Sequence, residues 1–247
     1  MTWYDAHCHL PAVAQMYDFK TVFPMAKEHG VKVWLSNALN REELHWHQLN
    51  RQPGIAFSAG IHPFYNEGTP LTLDELETLA RDRQIFAIGE IGLDRRNRDL
   101  NGQLRLLRDQ LSLARAYDLP CVFHVVGHQD VFFKILSELP VRGIWHGFSG
   151  SQDAVRQFSS LGLTFSIGQT LIANLKHEVI NAIIATGNFL IETDAPYNVK
   201  KPDPLIPDKH NPLMDIIGYT RTVSRLNGVK VEALQSELGR RINHYLD

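Results

Sequence analysis

Eight short apolar runs, separated by segments with helical spacing, leave few folds open to this chain. They occupy residues 2–8, 31–38, 55–61, 85–93, 120–126, 142–148, 163–167 and 189–193. Most are continuously apolar rather than alternating, as strands are when both faces of their sheet are covered. Between them, apolar residues recur every three to four positions, as at Leu104, Leu107, Leu111 and Ala114, and again at Val131, Ile135 and Leu139. Ser151 and Asp153 suit a helix start after the sixth run. Strand and helix alternating in this way imply a parallel sheet with right-handed crossovers. Eight strands in 247 residues predict the α/β class and a (β/α)8 TIM barrel, with residues 1–247 as a single domain. No G-x-G-x-x-G follows any run, which argues against a dinucleotide fold. Residues 195–212 hold five prolines and follow the eighth strand, so a long loop over the active face is expected there. Two helical patterns, about 211–227 and 231–245, finish the chain.

Charge and cysteine content narrow the function. The formal charge is −2, so no global basic field advertises a high-affinity duplex binder. Two cysteines, Cys8 and Cys121, are too few for a disulfide framework. Cys8 lies between two histidines on a strand and should face away from them, as a small packed residue. No basic and apolar leader precedes the first motif, and no apolar run approaches a membrane span. The expectation is a cytoplasmic protein with no membrane partner and no obligate protein partner.

Polar groups collect where these runs stop. Asp5-Ala-His7-Cys-His9 closes the first, and Glu192-Thr-Asp194 the last. His62, Glu90, His124 and His146 lie at or beside the ends of four others. In a barrel the carboxyl ends of all strands meet at one face. His7 and His9 are two residues apart, so both point into the barrel mouth. Glycines flank Glu90 in Ile88-Gly-Glu-Ile-Gly-Leu-Asp94 and leave room for close backbone approach. A lone strand histidine is usually a hydrogen-bonded core residue, and His29, His45, His47, His177 and His244 fall in helical stretches with no special role. His7, His9, Glu90, His124, His146 and Asp194, by contrast, come from five strands and share one end. Their residue types are those of a metal-assisted hydrolytic site.

The ordered motifs Asp5-x-His7-x-His9-Leu10, Gly60-Ile-His62-Pro63, Gly89-Glu90-Ile-Gly-Leu-Asp94, His146-Gly-Phe-Ser-Gly150 and Glu192-Thr-Asp194-Ala-Pro196 resemble the TatD family of metal-dependent deoxyribonucleases. The resemblance spans nearly the whole chain. It implies an amidohydrolase-like TIM barrel holding two divalent metal ions. It assigns His7, His9, Glu90 and Asp194 to one ion and Glu90, His124 and His146 to the other, with Glu90 bridging. His62 would touch the substrate phosphate or the leaving oxygen, and Asp194 would serve as general base. The expected substrate is single-stranded DNA or a DNA 3′ end. Four imidazoles favour zinc or manganese over magnesium on ligand softness, while the family is described as magnesium-dependent.

Three departures bear on substrate. Val126 stands where the family commonly carries an arginine, Pro11 where it carries an acid, and Arg95, Arg96 and Arg98 where aromatic residues usually follow the strand-four aspartate. The arginine cluster could supply a phosphate contact from a neighbouring loop. Phe64, Tyr65 and Tyr197 are candidate stacking platforms for bases. Two rival readings are an amidohydrolase-type enzyme cleaving an ester, amide or lactone, and a non-catalytic binding barrel. The second predicts lost ligands, and all six are present.

Overall fold

The computed structural model describes residues 1–65, 67–197 and 210–246. Its strands are β1 Trp3–Cys8, β2 Val31–Ala38, β3 Ile55–Ala59, β4 Ile88–Asp94, β5 Cys121–Val126, β6 Gly143–Trp145, β7 Thr164–Ile167 and β8 Phe189–Ile191. They pair in chain order, β1 to β8, and every pair is parallel. Helices intervene between strands, among them α1 Leu10–Met16, α2 Phe19–Glu28, α3 Arg41–Leu49, α4 Leu73–Arg81, α5 Leu100–Ala116, α6 Gln129–Glu138 and α7 Gln152–Ser159. Helices α8 Gln169–Ala173 and α9 His177–Ala185 precede β8, and α10 Asp215–Asn227 and α11 Val231–Leu246 close the chain. This is the (β/α)8 TIM barrel that the alternation predicts.

The strand-to-helix junctions follow local chemistry. Asn40 caps α3 by accepting from the Glu43 amide at 2.8 Å. Ser151 caps α7 through the Ala154 amide at 3.2 Å, as its position suggested. Pro11 occupies the first turn of α1, where a missing N–H breaks no bond. On α5, Leu107, Leu111 and Ala114 are buried against the sheet. Around β6 and β7, Trp145 meets Phe148, Phe158 and Phe132 edge-on with centroids 4.7–5.6 Å apart. Such edge-to-face packing fills the layer between sheet and helices.

Several strands are shorter than the apolar runs. β6 ends at Trp145 and β8 at Ile191, so Phe148 and Thr193 lie beyond them. Likewise β3 stops at Ala59, and β4 begins at Ile88 rather than residue 85. Burial continues past the ladder at these ends, and apolarity reports burial rather than pairing. The pattern at 211–227 resolves into a 3-10 turn, Pro212–Met214, followed by α10. Of the proline-rich loop expected at 195–212, residues 198–209 lie outside the described residues.

The seam between β8 and β1 closes the barrel without a regular ladder. The Asp194 amide donates to the His7 carbonyl at 2.9 Å, and the His9 amide to the Ala195 carbonyl at 2.7 Å. Below them the buried Asp5 carboxylate accepts from the Thr193 amide at 3.0 Å and its hydroxyl at 2.6 Å. Burial raises the Asp5 carboxyl to about 7, against the pull of these bonds from Thr193 and one from the His7 amide.

Candidate metal centre

All six predicted ligands converge at the carboxyl ends of the strands. His7 projects from β1, Glu90 from β4 and His124 from β5, while His9, His146 and Asp194 sit just past β1, β6 and β8. His9 is the residue before α1 rather than a strand residue. Asp194 adopts φ +55, a conformation uncommon for a non-glycine residue and frequent at functional sites.

The donor atoms form two sets around Glu90. In the first, the His7 and His9 Nε2 atoms are 3.3 Å apart. Glu90 Oε1 lies 3.5 Å and 3.2 Å from them, and Asp194 Oδ1 lies 3.4 Å and 3.3 Å. Tetrahedral ligands with bonds of about 2.0–2.1 Å stand about 3.3 Å apart, so this set has the spacing a cation needs. In the second set, Glu90 Oε2 is 2.9 Å from His146 Nε2 and 3.7 Å from His124 Nδ1. The two imidazole nitrogens are 3.1 Å apart. Glu90 Oε1 is buried and makes no hydrogen bond among the described residues, and the same holds for His9 Nδ1 and His146 Nδ1. A buried carboxylate oxygen left this way is expensive unless a cation completes it.

The electrostatics keep the two carboxylates ionised. Burial opposes the Glu90 charge, but His146, His7 and His9 outweigh it and hold the carboxyl well below its usual range. Burial likewise opposes the Asp194 charge, and hydrogen bonds from His7 and His9 hold that carboxyl down. Burial pulls His7 to about 4, aided by His146, whose ring stacks on it at 3.8 Å. Burial works against His146 as well, yet Glu90 carries it up to about 9. The ionised carboxylates are thus present before any cation arrives.

Hydrogen bonds behind the ligands select tautomers. His124 Nε2 lies 2.9 Å from Asp94 Oδ2. Asp94 is held ionised, against burial, by His124 and Arg96. It must therefore accept, which puts the proton on Nε2 and turns the Nδ1 lone pair toward Glu90 and His146. Asp94→Asn keeps the shape but removes the anionic acceptor. We expect it to weaken cation retention by the second set about 10–100-fold, measured by chelator competition. Wild-type retention would show that Asp94 does not orient His124.

His62 works in the opposite sense. Its Nδ1 accepts from the Phe64 amide at 3.0 Å and the Tyr65 amide at 2.7 Å. The ring proton is then on Nε2, which lies 3.7 Å from Glu90 Oε2. Burial holds the ring neutral, at about 3. His62, Glu90 and His124 are close enough to be read as one ligand group, but a protonated Nε2 offers no lone pair. His62 therefore faces the cleft as a hydrogen-bond donor. His7 has a related constraint, because Asn37 Nδ2 lies 3.0 Å from its Nδ1. Ligation through His7 Nε2 requires the Asn37 amide to turn over, so that its oxygen accepts from Nδ1.

Four supporting groups did not stand out as such in the sequence: Asp5, Asn37, Asp94 and Glu192. Glu192 accepts from the Gly147 amide at 2.6 Å and lies within ligand distance of His7 and His146. Burial raises its carboxyl to about 7. Its two-residue spacing from Asp194, like that of Asp5 from His7, was the available signal. The cleft over the centre holds about 650 Å3 and is also lined by Phe64, Tyr65, Arg95, Arg96, Ser149, Thr170 and Tyr197.

Residues 4–240 match the family model described as TatD related DNase. The chain belongs to the TatD family. It is a metal-dependent hydrolase, and its relatives bear this out. A protein of Escherichia coli described as the uncharacterized metal-dependent hydrolase YjjV is 33% identical over 205 residues, 78% of each chain. The 3′-5′ ssDNA/RNA exonuclease TatD of Erwinia billingiae is 28% identical over 245 residues, 94% of each chain. The crystal structure of the E. coli TatD homologue YjjV superposes with a TM-score of 0.80 and 26% identity, covering 97% of this chain and 95% of that one. Among the described residues of this TatD-family protein, no helix is long and apolar enough to cross a membrane.

Proposed function

We propose that this TatD-family protein hydrolyses phosphodiester bonds in single-stranded nucleic acid or at its 3′ ends, with residues 1–247 acting as one domain in the cytoplasm. The proposal gives it two divalent cations, one held by His7, His9, Glu90 and Asp194, the other by Glu90, His124 and His146. The observation that carries this reading is Glu90, whose two oxygens face two separate donor sets. Two cations at such a centre supply a water of lowered pKa and polarise the phosphoryl oxygens. Asp194, at the cleft wall, takes the proton of the attacking water. His62, with its proton on Nε2, donates a hydrogen bond to the charge developing on the leaving oxygen.

Several features support the substrate class. Phe64 and Tyr197 are 42% and 49% exposed beside the cleft, and bases stack on such rings without regard to sequence. The Erwinia relative carries an activity on single-stranded DNA and RNA in its name. Imidazole-rich sets favour zinc or manganese for tight binding. The decisive experiment is elemental analysis of the purified protein, coupled to turnover with added Mg2+, Mn2+ or Zn2+. The substrates are single-stranded DNA, a chromogenic phosphodiester and an aminoacyl ester. The expected result is about two cations per chain and cleavage of the phosphodiesters, lost on chelation. Turnover of the neutral ester alone would replace the nuclease reading with the amidohydrolase one.

A further inference from the structure

We propose that Arg95 binds the phosphate flanking the scissile one, and thereby gives this protein a preference for polynucleotides over isolated diesters. The inference rests on the phosphodiester reading above.

The charge of the scissile phosphate is met at the centre itself. Its neighbour along a strand carries a separate charge and needs a separate cation. Among the described residues two arginines line the cleft, Arg95 and Arg96, and of these Arg95 is the available one. Arg96 Nε donates to both Asp94 oxygens, at 2.9 Å and 3.0 Å, and its Nη2 donates to Oδ2. Its guanidinium also lies 4.2 Å from the Phe64 ring centre. Those bonds commit Arg96 to holding Asp94, and through it His124.

Arg95 is exposed and has no carboxylate partner among the described residues. Its backbone is tied to β5, where its amide donates to the Val126 carbonyl at 2.8 Å. Its stem then lies along Gly127, where a Cβ would come within 3.0 Å of Arg95 Cδ and 3.1 Å of its Cβ. The glycine thus leaves the stem a path across the end of β5, the strand that carries His124. An unpaired guanidinium at that wall presents the planar donor fork that phosphate oxygens accept.

The test compares a short oligothymidylate with bis(4-nitrophenyl) phosphate, which has a single phosphate, at matched metal content. Arg95→Gln is expected to lower kcat/KM for the oligonucleotide relative to the small diester by about 10–100-fold, chiefly through KM. Arg95→Lys keeps the charge but not the planar fork, so it retains part of the preference and falls between wild type and Arg95→Gln. Arg98→Gln, exposed and outside the cleft lining, retains it fully. Parallel loss on both substrates, or no change in their ratio, overturns the role of Arg95 alone. Wild-type inactivity on both overturns the phosphodiester reading and this inference with it.

Discussion

Glu90→Gln is expected to reduce hydrolysis by roughly a thousandfold or more, because several kcal/mol of transition-state stabilisation would depend on the cations it is proposed to hold. The amide keeps the volume and the buried position, so the fold should persist. It keeps only one good acceptor, however, and directs an NH2 group at imidazoles that must offer lone pairs. Each donor set contains one Glu90 oxygen, so the amide leaves one set without its oxygen and gives the other a neutral carbonyl in place of a shared charge. Substituting Asp194 touches only the first set. Elemental analysis beside circular dichroism separates the two effects: bound metal falls while the helical signal stays. A folded Glu90→Gln protein with wild-type metal content and turnover would falsify the shared-carboxylate centre.

Gly92→Ala should strike the fold itself. Gly92 has φ +148, and a Cβ there would stand 1.9 Å from the His124 carbonyl oxygen and 2.9 Å from its carbon. Neither atom can yield, since both belong to the backbone of β5 in register with β4. Forced separation of these strands also moves Glu90 away from His124. We expect a loss of about 3–5 kcal/mol or more, lowering Tm by about 10–15 °C in a chain of this size. Gly187→Ala is the control: φ is +69 there, and nothing lies within 4 Å of the added carbon. It should lose only about 1–2 kcal/mol, from the left-handed backbone alone. Equal melting points for the two variants would mean that the close approach of β4 and β5 does not constrain residue 92.

The fold and the six converging side chains were legible in the sequence because both rest on strict geometry. A parallel barrel demands doubly buried strands, and its topology brings their carboxyl ends together whatever the loops do. The ends of β6 and β8 were less legible. Residues such as Phe148 and Thr193 are buried outside the ladder, and their composition does not distinguish the two states. Tautomers were not legible at all. The donor face of His62 depends on amides two and three residues onward, and that of His124 on Asp94 from a different strand. The split between Arg95 and Arg96 has the same origin. Adjacent arginines look alike in sequence, and only side-chain partners show which is committed.

The seam between the first and last strands has a consequence for biosynthesis. His7 and His9 are synthesised well before Asp194, with β2 to β7 of the sheet between them and β8. During that interval the first donor set lacks Asp194. A nascent chain can offer only His7, His9 and Glu90 of its four donors, beside the second set of Glu90, His124 and His146. Capture of a cation by His7, His9, Glu90 and Asp194 would therefore report that the barrel has closed, and would join the two ends of the sheet where no regular ladder does. The proposed centre would in this sense be a clasp, fastened by the same residues that are proposed to carry the chemistry.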